Sequence, residues 1–188
     1  LKSLRNYKSL MVKNKLTPMD IFKAKNKKTP RAKAETSADK LKVLLLGHHY
    51  IIYDDFMSMS LIDKLRKRNI DLITCEMLSH NQIQQGSKRL SKAMFWTLGK
   101  NSLGAFYHYL DKESIDGIIH VASFGCGPDS LVGELLEQKA RREYDVPFLC
   151  LFLDEHSAEA GFNTRLEAFI DVMEGRKMYE KNNLSAYG

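Results

Sequence analysis

The stretch Gly117-Ile118-Ile119-His120-Val121-Ala122-Ser123-Phe124-Gly125-Cys126-Gly127-Pro128-Asp129-Ser130 decides how this chain is read. Gly117–Ser123 is a short, mainly apolar run of the kind that forms a buried parallel strand. Two glycines flanking Cys126 mark a tight loop that lets the backbone approach a ligand closely. Pro128 then stands near the first position of a helix, where its missing N–H costs nothing. Strand, glycine-rich loop and helix in that order make half of a βα unit, and the helix is predicted to run to Glu143.

The same alternation extends in both directions. Leu41–Leu46 is an apolar run closed by Gly47, a first buried strand. Residues 55–68 are predicted to be a helix with Phe56, Met59, Leu61, Ile62 and Leu65 on its apolar face, and Asp54-Asp55 fit its cap. Ile70–Cys75 is a second strand. Residues 88–111 read as mostly helical, with Leu90, Met94 and Leu98 spaced at four and Gly99 and Gly104 as points of kinking or division. Pro147–Leu153 is the fourth strand. A last helix is predicted from Asn163 or Thr164 to Glu174, with Glu167 as a capping-box partner. The fold class is therefore α/β: a Rossmann-like, flavodoxin-like doubly wound parallel sheet of four strands. Right-handed crossovers make 2-1-3-4 its simplest order.

That order has a chemical consequence. In such sheets ligands bind beyond the carboxyl ends of the strands, at the switch point where the order reverses. Strand one ends in Gly47-His48-His49-Tyr50, strand three in Ser123 to Gly127, and strand four in Asp154-Glu155-His156. All three loops then border one crevice. Cys126, ahead of a helix N-terminus, has the setting that lowers a thiol pKa and suits a metal ligand, a nucleophile or a neighbour of bound phosphate. Glu155 and His156 are the acid–base candidates there. Adjacent histidines point apart, which weighs against a zinc-type site built from His48, His49, His156 and Asp54. Cys75 and Cys150 read as structural thiols of the core. The absence of any Cys-x-x-Cys excludes a four-cysteine iron–sulfur or zinc site made by this chain alone. No Gly-x-Gly-x-x-Gly follows the first strand and no Walker A motif occurs, so neither NAD nor ATP binding in the usual manner is expected.

Composition sets the remaining bounds. The 188 residues suffice for one domain with a buried core. The charge of +6 is uneven: residues 1–40 hold 12 Lys/Arg against 3 Asp/Glu, whereas residues 41–188 hold 17 against 20. The basic segment carries no nucleic-acid docking motif, so a nucleic-acid partner is not expected. Within it, Thr17-Pro18-Met19-Asp20 marks a helix start, with the helix running to about Lys28, Thr29-Pro30 stopping it and residues 31–40 forming a linker. The division is residues 1–40 as a basic N-terminal helix and linker, 41–176 as the α/β domain and 177–188 as a polar tail. No apolar run is long enough for a bilayer and no signal peptide is evident. Three cysteines, an odd number, indicate a reducing compartment, the cytoplasm. The first residue, Leu1, suggests part of a longer polypeptide. Lys88, Arg89 and Lys92 with Phe95-Trp96 offer a basic–aromatic surface, or one that packs on the sheet or on a partner.

Gly47-His48-His49-Tyr50-Ile51-Ile52-Tyr53-Asp54 resembles the Gly-His-Pro-Tyr-x-x-Tyr-Asp motif after the first strand of one family. This is the group related to the D component of 2-hydroxyacyl-CoA dehydratases, described as CoA-substrate-specific enzyme activase-related. Met94 to Gly99, Ser123 to Glu134, and Asp154-Glu155-His156 through Arg165 to Ala168 are similar to further stretches of that group. His49 stands where the group has Pro. The resemblance implies an iron–sulfur cluster held by cysteines between Rossmann-like domains, reduced by an ATP-dependent activator. Carried over, it implies Cys126 as the cluster and metal ligand, with Gly125, Gly127, His48, Tyr50, Asp54 and Asp154 lining the cofactor cleft. With one loop cysteine, the cluster would be shared with another dehydratase-like domain or subunit, and a second copy of the chain is a further candidate partner. The competing readings are a non-catalytic ligand-binding or scaffolding domain of a larger activase-related polypeptide, and a Cys- or metal-dependent small-molecule enzyme.

Overall fold

The computed structural model describes residues 2–21, 40–90, 92–112 and 114–186. Its centre is one parallel sheet of β1 (Lys42–Gly47), β2 (Asp71–Thr74), β3 (Gly117–Ser123) and β4 (Phe148–Leu153) in the order β2-β1-β3-β4. Register runs unbroken, with Leu45 opposite both Thr74 and Ile119, and Ile119 opposite Leu149. The doubly wound α/β fold and its strand order are as the sequence predicts.

Both faces of the sheet are covered, which is why β1 carries no polar side chain after Lys42. Val43 and Leu45 point into a core shared with α2 (His49–Ile52), α3 (Leu61–Lys67) and α7 (Glu159–Ala186). Leu44 and Leu46 point into a second core with α4 (His80–Ser87), α5 (Thr97–Lys112) and α6 (Gly127–Lys139). At the end of β1 only glycine fits. Gly47 has φ +144, and a Cβ there would stand 2.3 Å from the Val121 carbonyl oxygen.

The helices differ from expectation in four places. Residues 55–60 are turns, with Met59 and Ser60 at positive φ; the helix begins at Leu61, and Phe56 lies exposed instead of on an apolar face. Asp54 caps that turn, its Oδ1 accepting the Met57 N–H at 2.8 Å. The long helix predicted over 88–111 is helical only in α5; a connection precedes it, and α4 lies ahead of the predicted start. Gly86 and Gly104 bring the two helices into backbone contact, since a Cβ on Gly86 would meet the Gly104 carbonyl oxygen at 2.2 Å. The last helix starts at Glu159 and continues through 177–186, so Asn163 and Thr164 lie inside it and Glu167 pairs with Arg68 instead of serving a cap.

The fourth difference is α1 (Lys2–Asn14), which the basic composition hides. It packs on the 3₁₀ turn Cys75–Met77 after β2, with Met11 buried. The helix start at Thr17 is present: the Thr17 N–H and hydroxyl both donate to Asp20 Oδ2 (2.9 and 2.7 Å), and Asp20 N–H donates back to Thr17 Oγ1. Asp20 also accepts from Arg66 at 2.7 and 2.9 Å, tying this segment to α3. Most of the predicted helix to Lys28 and the linker 31–39 lie outside the described residues. Among the described residues no helix is long and apolar enough to cross a membrane.

Candidate functional site

The carboxyl ends of β1, β2 and β3 deliver two groups of titratable side chains, and the adjacent histidines separate them. His48 turns toward the β3–α6 loop and His49 toward the turn after β2. The zinc-type combination of both histidines with His156 and Asp54 therefore does not form.

The first group gathers around Asp129, in the first turn of α6. A carboxylate there is favoured by the helix dipole. Its Oδ1 lies 3.7 Å from His48 Nε2 and 3.3 Å from His120 Nε2. His48 Nδ1 meets the Tyr50 hydroxyl at 3.1 Å. Cys126, the N-cap of α6, completes the set: its thiol, a His48 ring nitrogen and an Asp129 oxygen all lie within 4.8 Å of one another. Burial, then the nearby Cys126 and Asp129, push the Tyr50 hydroxyl pKa up. Behind them, His120 is wholly buried in β3, and Cys150 Sγ lies 3.8 Å from its Nδ1. Gly133 of α6 makes room for that ring, since a Cβ there would be 2.8 Å from Nδ1. Asp129 Oδ2 and His120 Nε2 are buried, and neither has a hydrogen-bond partner among the described residues. Buried polar atoms without partners are uncommon in folded proteins and call for an explanation.

The predicted site residues divide accordingly. His48, Tyr50 and Cys126 come together as the strand order requires, on a loop where Gly125 has φ +77 and Gly127 faces open space. Asp54 is used by its own turn. Asp154, Glu155 and His156 follow β4 in an exposed turn, where Asp154 Oδ1 accepts the His156 N–H at 2.9 Å and the Ser157 hydroxyl at 2.8 Å. Glu155 and His156 are more than four-fifths exposed, and their side chains approach each other at 3.6 Å. The structure does not join them to Cys126. Asp129 and His120 are the residues sequence reasoning passed over. Their signal was present, because a lone ionisable residue in an otherwise apolar strand needs a buried partner.

The second group was also missed. Glu76 Oε1 accepts from His49 Nε2 at 2.6 Å and from the Cys75 thiol at 3.3 Å, while Oε2 accepts the Tyr53 hydroxyl at 2.9 Å. Burial pushes the Glu76 pKa up, but the His49 hydrogen bond and charge outweigh it and hold the carboxyl at about 2. The Glu76 hydrogen bond correspondingly raises His49. Burial drives the Cys75 thiol well above its ordinary range and the Cys150 thiol up to about 11. A cavity of about 120 Å³ adjoins the group, closed on one side by Lys8 and Met11 of α1. A larger cavity, about 350 Å³, lies at the opposite end of the sheet beside Asp116, Asp145, Arg176 and Lys177. There Arg176 pairs with Asp145 and Lys177 with Asp116.

The donor set bears directly on an iron–sulfur cluster. Cys126 is the one cysteine at the crevice: Cys75 belongs to the second group and Cys150 stands behind His120. The crevice thus fits one corner of a cluster, with His48 and Asp129 beside it, and does not fit a complete one.

Residues 1–78 match the family described as CoA enzyme activase uncharacterised domain (DUF2229). The match spans α1, β1 and β2, including His48, His49 and Glu76. No curated protein matches the chain.

Proposed function

We propose that this chain is a component of a CoA enzyme activase-related electron-transfer system, related to the 2-hydroxyacyl-CoA dehydratases, in which Cys126 supplies one thiolate to an iron–sulfur cluster completed by another domain or subunit. The observation that carries this reading is the incomplete donor set at the switch point. A single cysteine stands at a helix N-terminus with His48 and Asp129 within 4.8 Å, while Asp129 retains a buried oxygen without a partner. The activase-related match over residues 1–78 supports the activase-related part of this reading; Cys126 lies beyond it. When bound, the cluster supplies one-electron chemistry. The chain's own contribution is to fix Cys126 through the Ser123 carbonyl, which accepts its N–H at 3.1 Å, and through Ser130, which donates to its carbonyl.

Exposed apolar side chains around the loop support a covering partner. Phe124 and Leu131 are each more than three-fifths exposed, and Tyr50 is more than half exposed. In this reading Tyr50 and Asp154 line the cleft, and Glu155 and His156 serve as acid–base groups for a substrate at the rim. The partners are an ATP-dependent activator and a dehydratase-like subunit. The test is anaerobic co-production with those partners, followed by iron and sulfide analysis. Cys126→Ser is expected to abolish the cluster's visible chromophore in the assembled complex. Equal iron, sulfide and absorbance in Cys126→Ser would overturn the proposal.

A scaffolding role is the second reading, favoured by Phe95 and Trp96, which stand exposed in the connection between α4 and α5. It requires that Phe95→Ser and Trp96→Ser weaken partner capture while leaving cluster content per assembled complex unchanged.

A further inference from the structure

We infer that the second group, His49, Cys75 and Glu76, is a binding site for a single divalent transition metal such as Zn²⁺, independent of any cluster at Cys126. The three residues come from two elements, the start of α2 and the turn after β2, yet two donors converge on one oxygen. His49 Nε2 and Cys75 Sγ approach Glu76 Oε1 at 2.6 and 3.3 Å. The three ligand atoms lie within 4.8 Å of one another. Imidazole, thiolate and carboxylate together are a set that Zn²⁺ accepts in tetrahedral sites. An ordinary buried ion pair would use His49 and Glu76 and leave the thiol out.

Two features around the group fit a metal. The Tyr53 hydroxyl holds the other carboxylate oxygen at 2.9 Å, the outer-shell arrangement that orients a ligating carboxylate. The adjoining cavity of about 120 Å³ leaves space for a fourth ligand such as water, as in sites with an open position. His49, nearly half exposed, gives the ion a way in. Binding is proton-balanced: the ion takes the place of the two protons that the Cys75 thiol and His49 Nε2 now give to Glu76, and both pass to solvent, leaving His49 neutral with its proton on Nδ1. Lys8 lines the same cavity.

Co²⁺ titration of the full chain tests this, because a cobalt–thiolate bond gives a charge-transfer absorption that a carboxylate or imidazole does not. One equivalent is expected to produce that band in the wild-type chain and equally in Cys126→Ser. Cys75→Ser is expected to abolish it, and His49→Ala to weaken Co²⁺ binding by about ten-fold or more. Because Cys75→Ser removes a buried thiol, its circular dichroism is recorded alongside. His49→Ala, altered at a half-exposed position, supplies the independent check. Absence of the band in the wild-type chain would overturn the inference, as would a band that Cys126→Ser removes and Cys75→Ser leaves intact. Neither result bears on the cluster proposal, which is read from iron and sulfide in the assembled complex.

Discussion

His48 and His49 are neighbours in sequence, and they serve two groups built on opposite plans. Around His49 three donors share one carboxylate: Glu76 takes the imidazole, the Cys75 thiol and the Tyr53 hydroxyl, and α1 closes over them, although the buried Thr74 hydroxyl beside them has no hydrogen bond among the described residues. Around His48 the accounts stay open. Asp129 Oδ2 and His120 Nε2 are buried with no hydrogen bond among the described residues, and Cys126 is partly exposed beside exposed Phe124. A closed, satisfied group holds its shape by itself. An open one carries an electrostatic cost that a ligand or partner can remove. The difference fits self-contained binding at the His49 group and binding shared with a partner at the His48 group.

The largest expected effect comes from breaking the closed group. Glu76→Gln removes the charge that His49, Cys75 and Tyr53 all face, and is expected to cost about 3 kcal/mol of stability in urea unfolding. Asp129→Asn changes a carboxylate that already lacks a partner on one oxygen, and is expected to cost under about 1 kcal/mol in the isolated chain. Equal losses for the two variants would erase the distinction between the groups.

The same contrast appears in pH dependence. Glu76 is depressed from 4.5 to about 2 in the folded state. Its contribution is therefore fully present above its unfolded pKa and is lost as pH falls from about 4.5 toward 2. Over that window the linkage amounts to about 3 kcal/mol. His49 is raised, so its contribution is present below its unfolded pKa of 6.5 and declines as pH rises through the higher folded value. Stability measured from pH 2 to 8 should show both limbs in the wild-type chain. Glu76→Gln should flatten the acid limb, and an unchanged acid limb would show that the stabilisation lies elsewhere.

How much of this was legible follows from which forces write themselves into local sequence. Strand order and the Cys126 crevice were readable because β1 and β3 are apolar runs ended by glycine, and parallel connection leaves few choices. The break ahead of α5 was not, because Leu90, Met94 and Leu98 keep helical spacing although Leu90 and Met94 lie outside any helix and Leu98 within α5. The true start, Ser79-x-x-Gln82, is a capping box with both reciprocal bonds present, yet its helix is polar and contains Gly86. That glycine is there for contact with Gly104, a fact of tertiary packing. Asp129 was quoted with its loop, but its pairing with His120 needs the β3–α6 packing that Gly133 permits. Glu76 was hidden by α1, since a basic segment gives no hint that Met11 and Lys8 cover a carboxylate two strands away in sequence.

Thiol reactivity separates the groups without altering stability. Cys126 is partly exposed, whereas burial raises Cys150 to about 11 and holds the buried Cys75 well above its ordinary range. Since the thiolate is the reacting form, iodoacetamide at neutral pH should alkylate Cys126 first, Cys150 later and Cys75 last, as read by peptide mass spectrometry. Early labelling of Cys75 would mean that the closed group opens readily.

The smallest effect concerns what closes it. Met11 is 6% exposed and packs α1 over the turn that carries Cys75 and Glu76. Met11→Ala removes that packing, and a buried Met→Ala change costs about 2 kcal/mol. On a terminal helix the loss falls first on local opening, because such segments unfold below the global free energy. Alkylation of Cys75 should therefore accelerate while that of Cys126, on the far side of β1, stays constant. Parallel acceleration at both cysteines would show that α1 stabilises the whole domain and that the two groups do not open independently.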